Sequence, residues 1–136
     1  DLCRKWYPAP ALAPGTATHL TERYSAFVRR IADDPDLAFL DNQLFPGMPG
    51  VPQPEVTPRK GVYFCMELIQ LMEDVYFELN LQHRGDRENP IYAGWVQVFQ
   101  VWANSQAVRD AWEVAGSGFN PIFQEFFVGL RKSGDS

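Results

Sequence analysis

The segment TPRKGVYFCMELIQLMEDVYFELNLQH, residues 57–83, constrains the fold more than any other part of the chain. Its polar residues Glu67, Gln70, Asp74 and Glu78 recur at i, i+3, i+7 and i+11, the spacing of one narrow wet face on an α-helix. Val62, Phe64, Met66, Leu68, Ile69, Leu71, Met72, Val75, Tyr76 and Leu79 cover much of the remaining circumference. A helix that is apolar on most sides must be packed on most sides, so this element is expected at the centre of the molecule. Thr57 is placed to cap it, Pro58 to open it, and it should run to about Leu81.

The rest of the chain supplies helices to surround it. Residues 1–17 hold three prolines and a glycine and read as an extended arm, with Trp6 and Tyr7 as pins, ahead of a single helical domain at 18–136. In THLTERYSAFVRRIAD, Leu20, Tyr24, Phe27, Val28 and Ile31 form one apolar stripe. Asp34 and Pro35 then offer the cap and first position of a short second helix anchored by Leu37, Phe39 and Leu40. After the central helix, Asn89-Pro90 opens a helix with Ile91, Trp95, Val98 and Trp102 on one stripe. Its alternation WVQVFQVW also fits a strand, but the helical period extends further and the flanks carry caps. Ser105 should cap a shorter helix closed by Gly116, and Asn120-Pro121 should start the last, with Ile122, Phe126 and Leu130 at spacing four. The expected fold is all-α, an irregular antiparallel bundle of five or six helices. FPGMPGVPQPEVTP, residues 45–58, has prolines at spacing three like a docking peptide, yet Gly47 and Gly50 loosen it and no basic residue flanks its P-x-x-P units. It reads as a strap stiffened by five prolines.

Composition narrows the function. With 46% hydrophobic and 21% charged residues the chain is globular, and the formal net charge of −5 without a basic stripe argues against nucleic acid. No apolar run of about 18 residues is present, so no membrane span is expected within the chain. No signal-peptide core is seen; starting at Asp1 without an initiator Met, the chain is expected to be a processed or excised piece of something longer. Cys3 and Cys65 suffice for one bridge in an oxidising compartment, whereas Cys65 in its apolar run suits a reduced thiol.

Motifs for catalysis are missing. His19 and His83 lack partners at zinc spacing, and Glu67 and Glu73 are followed three residues later by Gln70 and Tyr76 rather than by His, so neither a zinc nor a di-iron centre is expected. Ser117 in AGSGFN has Ala115 where a nucleophile elbow has glycine, and neither glycine-rich phosphate loop occurs. Glu73 with Asp74, and Asp86 with Glu88, are the carboxylate pairs that acid–base chemistry would use, but both fit a solvated face equally well. No catalytic residue, metal or cofactor is assigned. The polar constellation of the turn, Arg84, Asp86, Arg87 and Glu88, lies beside Tyr92 and Trp95 and, with Trp102 and Phe126, forms the candidate binding set. A protein partner is expected there. The alternative is a lipid or small apolar ligand held between the helices at 92–102 and 122–130.

The run Glu73-Asp74-Val75-Tyr76, the turn from His83 to Asn89, Gly94-Trp95, Phe99 with Trp102, Ser105, and the segment SAFVRRIADDPDLAFL resemble a loosely defined set of bacterial all-helical domains of unknown function that follow an N-terminal membrane helix. The resemblance covers about two thirds of the chain and implies a helical module held at the cytoplasmic membrane face. It implies no catalytic residues.

Overall fold

The computed structural model describes residues 18–83 and 89–134. Six α-helices are seen among the described residues, with no strand: α1 Thr18–Asp33, α2 Asp41–Leu44, α3 Arg59–Glu78, α4 Pro90–Asn104, α5 Gln106–Ala115 and α6 Pro121–Gly134. Short 3-10 segments, Pro35–Leu40 and Gly116–Gly118, precede α2 and follow α5. The expected all-α bundle is therefore present. The arm at 1–17 lies outside the described residues.

α3 is the axis. It packs most extensively on α5 and also meets α1 and the first 3-10 segment, while α4 and α6 pack on each other. Phe64, Cys65, Leu68, Ile69, Leu71, Met72, Val75 and Tyr76 of α3 are all buried. They join Leu20 and Tyr24 of α1, Trp95, Phe99 and Trp102 of α4, Ala107, Val108 and Ala111 of α5, and Phe123, Phe127 and Leu130 of α6 in one core.

The polar stripe of α3 keeps the contact with water that was expected and also forms a seam with α1. Glu78, Asp74 and Glu67 meet His19, Arg23 and Arg30 of α1 at 3.0, 2.6 and 2.9 Å. Each step of four or seven residues forward along α1 is matched by the same step backward along α3, so one antiparallel register satisfies all three pairs. Arg30 also lies over the Phe64 ring, 4.8 Å from its centroid. The ladder is partly exposed and adds little energy per pair, but a slipped register would leave like charges or gaps opposite one another.

Local chemistry differs from expectation at three places. Asp34 does accept from the Asp36 N–H at 2.9 Å, yet the following turn is a 3-10 segment leading into a four-residue α-helix. Thr57 does not cap α3; its hydroxyl donates to Asp110 Oδ2 of α5 at 2.5 Å, and Pro58 occupies the cap position. Ser105 occupies the cap position of α5, but its hydroxyl donates to the Trp102 carbonyl, and the Ala107 N–H finds Gln43 Oε1 at 2.9 Å. Gln43 is held in turn by Gln53 of the proline segment: its Nε2 donates to Gln53 Oε1 at 2.7 Å, and Gln53 Nε2 donates to the carbonyls of Phe39 and Val51. Residues 46–58 thus cross the surface as a strap fastened at Gln53.

Cys65 is fully buried and free, and burial pushes its thiol up to about 12, with the Asp110 carboxylate adding to the effect. In a Cys3→Ser background, its reaction with a thiol reagent at pH 8 is expected to track unfolding. The unfolded thiol ionises near 9.0, so this group's contribution is complete below that pH and is lost between about pH 9 and 12. Rapid labelling of the native protein would contradict this. For the ladder, an Arg23→Ala/Asp74→Ala double-mutant cycle should give a coupling of about 0.2–1 kcal/mol that shrinks in molar salt.

Candidate functional site

The end of α3 fixes where the expected binding turn begins. Asn80 adopts the left-handed conformation, φ 59°, and the Asn80 and Leu81 N–H groups donate to the carbonyls of Phe77 and Tyr76 at 3.2 and 2.8 Å. This is a Schellman stop with Asn at the left-handed position and buried Leu81 folded back on Tyr76. Gln82 and His83 then lead outward. Arg84, Asp86, Arg87 and Glu88 lie outside the described residues.

The aromatic members of the candidate set separate. Trp95 and Trp102 are 0% and 1% exposed, packed edge-on and stacked against Tyr24 with ring centroids 5.9 and 5.8 Å away. They are core, and their buried indole N–H groups have no acceptor among the described residues. Tyr92 is half-buried against the core. Where a ligand was expected between α4 and α6, Trp95, Phe99, Trp102, Phe123 and Phe127 are buried among the core side chains.

Phe126 lines an open groove, of about 340 Å³, with Tyr76, Gln82, Ile122 and Glu125. Its ring lies 4.5 Å from that of Tyr76. Ile122, at spacing four with Phe126 and Leu130, is 54% exposed, whereas Phe123, Phe126, Phe127 and Leu130 are buried. Phe77, 37% exposed, abuts Tyr76 with ring centroids 5.0 Å apart.

A second groove, about 350 Å³, continues along α3 and is lined by Met66, Glu67, Gln70, Glu73, Ala115, Gly118 and Phe119. Its far wall is the turn between α5 and α6. That turn can approach α3 because Gly116 lies beneath the Trp112 indole, where a Cβ would come within 2.6 Å of Cε2. Trp112 stacks in turn on Phe127 at 3.9 Å and on Phe119 at 5.8 Å. The Asn120 N–H donates to Glu73 Oε2 at 2.9 Å, latching the start of α6 to α3. Both grooves are bordered by α3 and by residues between Ala115 and Phe126, and together they are termed the trough.

The carboxylates in this region are already engaged. Glu73 also accepts from Gln70 at 3.0 Å, and Asp74 accepts from Gln70 and Arg23. Neither is positioned as one half of an acid–base pair, and no cluster of metal-ligating side chains is present among the described residues. The groove beside Met66 and Phe119 offers mainly apolar surface with Glu67 and Glu73 at its margin, whereas the groove at Ile122 is mainly polar. Met66, Tyr76 and Phe119 were not singled out for binding from the sequence, because Met66 and Tyr76 belong to the apolar circumference of α3 that reads as core.

A scan of protein-family models, a search of curated proteins and a search of solved structures each found no match to this chain. Asn80→Val should cost about 1–2 kcal/mol, because a β-branched residue resists the left-handed conformation, and thermal melting measures it. Its cost should be felt first as loss of hydrogen-exchange protection at Leu81, where the turn leaves α3.

Proposed function

We propose that this chain is a non-enzymatic helical module that binds another protein through the trough along α3. The observation that supports it best is the placement of Ile122 and Phe77, large apolar side chains left in solvent beside Tyr76 and Phe126, at the point where the chain leaves for the charged turn. The open shape of both grooves favours a macromolecular surface over an enclosed small ligand. Tethering at a membrane rests on the sequence resemblance alone. No helix among the described residues is long and apolar enough to cross a membrane.

The test is capture from native membranes, with protein and lipid identified together, using wild type, Ile122→Glu and a control Val56→Glu on the strap. Both residues are exposed, 54% and 78%, so each substitution should change stability by no more than about 0.5 kcal/mol. Partners retained by wild type and Val56→Glu are expected to be lost with Ile122→Glu. Retention of the same partners by all three chains would remove the trough from the function, and recovery of lipid without protein would favour the lipid-binding alternative.

A further inference from the structure

We infer that the outer edge of the strap, Pro49 to Pro54, is a polyproline II ligand for a partner protein whose binding groove is lined by aromatic rings. This surface is separate from the trough. Proline spacing alone does not carry the inference, because Gly47 and Gly50 loosen the free sequence. The folded chain removes that objection. In PGVPQP the rings of Pro49, Pro52 and Pro54 fix φ at about −65°, and Val51 and Gln53, each preceding a proline, are driven to extended or polyproline II backbone. Gly50 is the remaining residue, and its φ lies outside the left-handed region. Among the described residues, no backbone–backbone hydrogen bond involves residues 49–57, and a polyproline II helix has none of its own.

With three residues per turn, such a helix has three ridges, and the domain holds two of them. Val51 packs against the core. Gly50 lies beside the Asn42 side chain, and Gln53 is fastened to Gln43 and to the Phe39 carbonyl. The third ridge, Pro49, Pro52 and Glu55, is exposed. Its two proline rings stand about 9 Å apart at about 3.1 Å per residue, and their carbonyls accept from no described donor. The missing N–H groups of Pro49, Pro52 and Pro54 rule out strand addition, which depends on main-chain hydrogen bonds, so the rings and carbonyls are what a partner can read. Aromatic side chains that stack on the rings and donate to the carbonyls match that surface. Glu55 is the only charged residue between 45 and 58, so ring contact rather than an ionic flank supplies the specificity. The freedom of Gly50 is already lost in the folded chain, and docking does not have to order the ligand.

Purified SH3 and WW domains, whose grooves are of this aromatic kind, serve as probes and are titrated into the full chain. Binding is read from the methyl resonance of Met48 on the strap, with Met66 on α3 as internal control. At least one domain should shift Met48 and leave Met66 in place, with an affinity that changes less than about twofold between low salt and about 0.5 M. Pro49→Ala/Pro52→Ala should weaken binding about tenfold or more, while Glu55→Gln should leave it within about twofold. Gln53→Ala keeps every proline but unfastens the strap, and it should weaken binding toward that of a free peptide of residues 45–58, about tenfold below the folded chain. A Met48 resonance unmoved by both domains at millimolar concentration, or binding unchanged in the double proline variant, would overturn the proposal. Equal affinity of the free peptide and the folded chain would overturn the fold as the source of the ligand. A partner held at the strap survives Ile122→Glu, so failure here and failure of the trough are told apart.

Discussion

The fold depends on the need to cover α3. A helix with apolar side chains around most of its circumference is unstable in water by itself, and each neighbour can be understood by the arc it conceals. α5 takes the arc centred on Cys65 and Ile69, helped by the Thr57–Asp110 hydrogen bond at its start. α1 takes the polar arc, where apolar burial would be costly and paired charges are not. The energy comes chiefly from the buried side chains, each worth about 1.5–3 kcal/mol before the cost of ordering the chain, whereas the ladder mainly selects one register from several of similar burial.

How much of this was written in the sequence differs by scale. Helices were legible because their apolar stripes extend over three or more turns, and the centrality of residues 59–78 followed from the excess of apolar positions. Caps were less legible. Thr57 and Ser105 stand where capping residues belong, but each hydroxyl is turned toward the acceptor of its proton, Asp110 or the Trp102 carbonyl, and its oxygen does not serve as the cap acceptor. The identity of a better partner is a tertiary fact. The polar stripe of α3 was recognised as a wet face, and Glu67, Asp74 and Glu78 do stay in contact with water; their partners on α1 are what the sequence leaves unread.

The candidate site shows the converse problem. Trp95 and Trp102 share the stripe that defines the inner face of α4, and that periodicity already favoured the core over a contact surface. Ile122 shares a stripe with Phe126 and Leu130 but sits in the first turn of α6, before the helix has come under its neighbours. Position along a helix, as well as angle around it, decides exposure.

The missing cap of α5 gives the proline strap a further significance. Ala107 takes its acceptor from Gln43, Gln43 is oriented by Gln53, and Gln53 is the fastening of the strap. These bonds form a relay in series, so lifting the strap would strip a hydrogen bond from the start of a helix on the other side of the relay. Linkage is reciprocal, and any force that frays α5 must loosen the strap by the same free energy. A crossing that looks like packaging is therefore thermodynamically continuous with the helix that ends at the wall of the trough.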